Sequence, residues 1–211
     1  RCTRRRVSAG PLPRLRAGHD RGALATRLIR VAGLVELQVQ QALQTVRIPS
    51  NVQVGFYPHL GTVDVSLVAS GTRQTELRHI LSRLEREIRQ RLGAAVYGRD
   101  RDTLEAVVGR ALMKRRWTVA VAESCTGGLI SDRLTDVPGS SRYVVLSVVA
   151  YHNAIKQRLL GVEPEILAKH GAVSQQTAAA MARGVRQRAG ADVGLAITGI
   201  AGPSGATATK P

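Results

Sequence analysis

Aromatic residues are scarce in this chain of 211 residues: one Trp, one Phe and four Tyr, 3% of the total. That argues against a nucleic-acid surface of the stacking kind, which sets bases on exposed rings. Cysteine is scarcer still, with Cys2 and Cys125 alone, so there is no disulfide framework and a cytoplasmic setting is expected. No apolar run approaches the roughly 18 residues that cross a bilayer, so no membrane association is expected. The N-terminal stretch is basic but lacks the apolar centre of a secretory signal. The His and Cys residues are too scattered for metal-ligand spacing, and no metal is expected. Acids are few, 15 against 31 basic residues, for a net charge of +16. Such an excess can mark a polyanion partner. Here the arginines are dispersed, which favours a compositional bias on solvated faces, and nucleic acid is not expected as a partner.

What is present suffices for one large or two small domains. Residues 1–22, rich in Arg, Pro and Gly, read as a disordered basic leader. The chain starts without Met and stops at Thr209-Lys210-Pro211, so both ends read as cut. Residues 23–97 read as a small α+β domain. Leu24, Leu28, Val31, Leu34 and Val35 have mostly helical spacing within 23–46. Val52–Phe56 and Thr62–Ala69 alternate as strands around Pro58 and Gly61. Thr72–Leu92 carries Leu77, Leu81, Leu84 and Ile88 on one helical face. His59 and His79 are expected to be ordinary surface residues. Gly98–Asp102 reads as a charged linker. Asp102 and Glu105 have capping-box-like spacing before a helix expected to bury Leu104, Val107, Val108 and Leu112.

The segment 98–211 repeats strand and helix. Trp117–Ala122, Val144–Ala150 and Val193–Thr198 are the strands. Leu129–Thr135, Asn153–Leu160, Pro164–His170 and Gln175–Ala189 are the helices. Such alternation predicts an α/β fold, a three-layer α/β/α domain with a largely parallel sheet. Each strand runs out into polar residues: Glu123-Ser124-Cys125-Thr126, then Tyr151-His152-Asn153 with Lys156 one turn on, then Thr198-Gly199. In a parallel sheet these ends share one edge, where open α/β folds bind ligands.

Ser124 is the candidate nucleophile, with a helix cap as the plain alternative. Tyr151 or Lys156 would take its proton, and Lys156 could do so if burial lowers its pKa. N–H groups around Thr126–Gly128 could hold an oxyanion. Cys125 reads as a small buried residue. The loop 199–205 (GIAGPSG) could cradle a phosphate or be a plain turn.

Four segments, AESCTGGLISDRLTDVPGSS at 122–141, VVAYHNAIKQRLLGV at 148–162, HGAVS at 170–174 and ITGIAGP at 197–203, come in the order and spacing of the CinA family (competence/damage-inducible protein A), which the chain resembles. Residues 29–97 resemble, more weakly, the KH-like middle region of the same proteins, although no GXXG loop stands in 23–97. The resemblance implies a nicotinamide-nucleotide amidase that hydrolyses nicotinamide mononucleotide to nicotinate mononucleotide and ammonia. It implies Ser124 as nucleophile with Tyr151 and Lys156 handling protons. It places Glu123, Thr126, Gly127, Gly128, Asn153, Thr198, Gly199 and Gly202 around the substrate. It further implies a homodimer with a small nucleotide as substrate and no need of a cofactor. The usual Tyr-Ser-Asn is Tyr-His-Asn here, and family members continue beyond Pro211 with another strand and helices. Without these, an inactive fragment or a nucleotide- or nucleic-acid-binding module is the competing expectation.

Overall fold

A computed structural model describes residues 22–202. The expected basic leader lies outside the described residues, except for its last position. The chain divides into two compact units, one ending at Asp100 and one beginning at Arg101.

The first unit runs β1 (Ala23–Ala32), α1 (Glu36–Leu43), β2 (Val52–His59), β3 (Thr62–Gly71), α2 (Gln74–Leu92) and β4 (Val96–Arg99). The sheet order is β2-β3-β1-β4, and every pair is antiparallel. This is a split β-α-β arrangement. The first expected helix is therefore corrected: residues 23–32 form a strand, and only Glu36–Leu43 is helical. Ala25, Ile29 and Val31 are buried at strand period. Arg27 interrupts that row and hides the alternation, because its guanidinium is paired with Glu85 of α2. The expected boundary at 97/98 would cut β4, which pairs with β1 through Ile29–Arg99 and Arg30–Gly98. His59 is exposed, as expected, and its Nε2 lies 3.0 Å from Asp64 Oδ2, which Arg30 also holds at 2.6 Å.

The second unit runs α3 (Leu104–Arg115), β5 (Val119–Glu123), α4 (Leu129–Thr135), β6 (Val144–Val149), α5 (Asn153–Leu160), α6 (Pro164–His170), α7 (Gln175–Ala189) and β7 (Val193–Ile197). The strands are parallel in the order β6-β5-β7. All of β5 is buried, as a central strand covered on both faces requires. Val119 and Val121 pack with Leu112 of α3 and Leu134 of α4 on one face. Ala120 and Ala122 pack with Leu160 of α5 and Met181 and Val185 of α7 on the other. This is the expected three-layer α/β/α domain. Each fully buried aliphatic side chain of this kind contributes about 1.5–3 kcal/mol.

Three local expectations change. Thr103, not Asp102, caps α3, its Oγ1 accepting from the Ala106 N–H at 3.3 Å, while Asp102 pairs with Arg110 at 2.7 Å. Of the four residues expected to be buried on α3, only Leu112 is, and Val108 is exposed. Trp117 lies before β5, exposed, with the Arg115 guanidinium 5.6 Å from its ring centroid.

The topology sets up a site. The chain leaves β5 toward β6 through α4 on one face. It then returns from β6 past β5 to β7 through helices on the opposite face. Right-handed crossovers running in opposite directions across a sheet demand this arrangement. It places the carboxyl ends of β5 and β7 at the point where the strand order reverses, the crevice in which such folds bind ligands,.

Candidate active site

Ser124 is the first residue beyond β5, and Lys156 lies one turn into α5. Side chains in a helix lean toward its N-terminus, so the lysine reaches back over the start of α5. Its Nζ donates to the Tyr151 carbonyl at 2.7 Å and to Ser124 Oγ at 3.1 Å. Ser124 is 6% exposed and Lys156 1%. Burial disfavours the charged ammonium and lowers the Lys156 pKa below 10.5, partly offset by its electrostatic interaction with Cys125,. Of the two expected proton carriers, only Lys156 bonds Ser124. Tyr151 is 67% exposed; its carbonyl orients the amine, and the residue lines the cavity.

The cavity around this pair measures about 300 Å³, at the lower end of ligand-pocket sizes. Its walls come from three strand ends and one loop: Ser124 and Cys125, Tyr151, Asn153 and Lys156, Thr198 to Gly202, and Ala172 and Val173. Ser124, Tyr151, Asn153, Lys156, Thr198, Gly199 and Gly202 are thus gathered as expected. Thr198 spends its proton on the Ala172 carbonyl, 2.7 Å away, which ties β7 to the loop before α7. That loop is held again by Thr177 Oγ1, donating to the Gly171 carbonyl at 2.7 Å. Ala172 and Val173 were missed as site residues because neither carries a chemical group. The signal was their place between a helix-stopping Gly171 and the cap Ser174. Cys125 is half-buried in the wall, not packed away. A Cβ on Gly199 would lie 2.9 Å from its Sγ, so a larger residue at 199 would oblige the Cys125 side chain to shift. The loop 199–205 is described only as far as Gly202.

Four expected substrate contacts, Glu123, Thr126, Gly127 and Gly128, do not line the cavity. Glu123 is fully buried and faces α4 instead. One carboxylate oxygen accepts from the Ile130 N–H at 3.1 Å; the other accepts from the Ser131 N–H at 2.9 Å and from the Ser131 hydroxyl. Burial alone would raise its pKa. The Ser131 hydroxyl and the two helix N–H groups outweigh that and hold it below the ordinary value. The hydroxyl of Thr126 bears on the same carboxylate electrostatically, yet its Oγ1 is buried without a hydrogen-bond partner among the described residues. Gly127 and Gly128 have φ of +61° and +105° and serve to turn the chain from β5 into α4, where a side chain would be strained.

His152 caps α5: its Nδ1 accepts from the Ala154 N–H at 3.2 Å. Among the described residues no group of three His, Cys, Asp or Glu side chains could hold a metal ion, and no helix is long and apolar enough to cross a membrane.

Fold and site together define an α/β domain with a buried serine–lysine pair at the carboxyl edge of a parallel sheet. The CinA C-terminal domain profile matches residues 101–211 and the damage-inducible protein CinA KH domain profile matches residues 26–98, so the chain belongs to the CinA family. A CinA-like protein from Desulfotalea psychrophila is 44% identical over 202 residues, which are 95% of this chain and 49% of the relative. A putative competence-damage inducible protein from Moorella thermoacetica is 46% identical over 201 residues, with the same coverage. The chain thus spans about half the length of these curated relatives. The crystal structure of the competence/damage inducible protein CihA from Agrobacterium tumefaciens is 45% identical at a TM-score of 0.49, covering 51% of this chain and 66% of that one.

Proposed function

We propose that the second unit is an amidohydrolase that cleaves the carboxamide of nicotinamide mononucleotide, releasing ammonia and nicotinate mononucleotide. The observation that supports the reading best is the buried contact between Lys156 Nζ and Ser124 Oγ at 3.1 Å. A serine hydroxyl is a weak nucleophile until a neighbour takes its proton, and a lysine can do so once burial favours its neutral form.

In this reading neutral Lys156 accepts the Ser124 proton while Oγ attacks the amide carbon. The C–N bond then breaks, and the lysine ammonium returns the proton to the departing nitrogen, which leaves as ammonia. Water, deprotonated by the same amine, hydrolyses the acyl ester and regenerates Ser124. The Tyr151 carbonyl keeps the amine aimed at Oγ in both protonation states. The Cys125 N–H donates to no acceptor among the described residues and supplies the developing oxyanion with a donor, as a backbone N–H beside a nucleophile can. Asn153 and the 199–202 turn take the rest of the nucleotide, and the side chain of Tyr151 closes the open side.

The test is incubation of the chain with nicotinamide mononucleotide and measurement of ammonia, beside a Ser124→Ala variant. Release by the wild type alone supports the reading. No release, or equal release by the variant, overturns it.

A further inference from the structure

We propose that Glu123 is a positioning residue, which sets Ser124 against Lys156. The inference rests on the serine–lysine reading above. Three elements meet at this one residue. Its side chain takes the second and third N–H groups of α4 and the Ser131 hydroxyl. Ser131 in turn hydrogen-bonds Ser147 of β6. Its carbonyl accepts from the Ala150 N–H at 2.8 Å, extending the β5–β6 ladder to the residue before Tyr151. Glu123 therefore fixes the chain on both sides of the pair: Ser124 follows it directly, and the Tyr151 carbonyl that orients Lys156 follows Ala150, whose N–H donates to Glu123.

Glu123→Gln keeps the shape but sets an amide NH₂ against one of the donors. Ser131→Ala removes one donor and leaves the carboxylate, so it carries the test if the first variant does not fold. Both are measured as full chains, for kcat and KM on nicotinamide mononucleotide and for the titration of the Lys156 amine by NMR, which is tractable because the chain has only four lysines. A misplacement on the order of 1 Å costs about 100-fold in rate. Glu123→Gln should lower kcat by that order with KM unchanged, Ser131→Ala should lower it less, and the Lys156 titration should move up toward 10.5 as water enters. A raised KM with kcat preserved would make Glu123 a substrate contact and overturn the proposal. Unchanged kcat and unchanged Lys156 titration would reduce it to a helix cap and overturn it equally. If the wild type releases no ammonia, the amidase reading fails on its own, and the Lys156 titration alone decides the role of Glu123.

Discussion

Lys156 Nζ reaches Ser124 Oγ from inside the fold, 3.1 Å away, with both groups almost wholly shielded from solvent. The contact spans 32 residues of sequence and joins the ends of two adjacent strands. If the amine is the base, Ser124→Ala should abolish ammonia release, and Lys156→Met should lower kcat by about 10²–10⁴-fold, the usual worth of general-base catalysis. Lys156→Arg should not rescue it, because a guanidinium stays protonated and has no lone pair to offer. Steady-state assays on the three variants check this; an active Lys156→Arg enzyme would leave the lysine an electrostatic role only.

The same contact fixes the direction of the pH dependence. Only the neutral amine takes a proton, and burial holds the Lys156 pKa below 10.5. The ratio kcat/KM should therefore rise with pH and level off below 10.5, in the manner of a single base losing its proton. A profile that fell with rising pH through neutrality would sink the assignment.

The second unit was legible because its signals are local. Buried strands read as short apolar runs, helices stop at Gly161, Gly171 and Gly190, and polar residues collect where strands end. Glu123 shows where such reading stops. Its neighbours in sequence made it look like part of the pocket, yet its carboxylate points away toward residues seven and eight positions on. In the first unit, Leu24, Leu28 and Val31 mimic helical spacing, and the strand emerges only when Glu85, 58 residues away, neutralises Arg27 in the buried row. Both misreadings have one cause: a charged group whose partner lies outside the local window.

His152 offers a test of the cap at the start of α5. Its Nδ1 satisfies the Ala154 N–H, the role a serine usually plays at a helix start. His152→Ser should be nearly neutral, whereas His152→Ala should cost about 1 kcal/mol, the typical worth of an N-cap. Urea unfolding of the three proteins compares them directly. If Ala and His prove equal, the bond contributes nothing to stability.

Glu123 makes stability depend on acid. An unfolded glutamate titrates near 4.5, and the folded pKa lies lower. Above the unfolded value the carboxylate is charged in both states and its contribution is complete. As pH falls below that value the unfolded chain takes up the proton first, and the contribution is lost as pH passes through the folded pKa. The fall in urea midpoint between about pH 6 and about pH 3 should thus be smaller in Glu123→Gln than in the wild type. Equal falls would show that the folded carboxylate is not held charged.

The packing of α7 on α5 hangs on a single missing methyl group. Gly184 sits in the middle of α7, where glycine by itself costs about 1 kcal/mol relative to alanine, so propensity alone predicts that Gly184→Ala stabilises the helix. A Cβ there would lie 1.8 Å from the Leu160 carbonyl oxygen and 2.7 Å from its carbon. Those atoms are backbone, at the last residue of α5, and cannot swing aside as a side chain would. The two helices must move apart, which opens the layer holding Leu160, Met181 and Val185 and displaces the helix that carries Lys156. Overpacking of this kind costs about 1–3 kcal/mol, enough to exceed the gain in propensity. Gly184→Ala should therefore lower the thermal midpoint and reduce ammonia release together, although the residue lies outside the cavity. A variant as stable as the wild type would mean that α5 and α7 have slack between them.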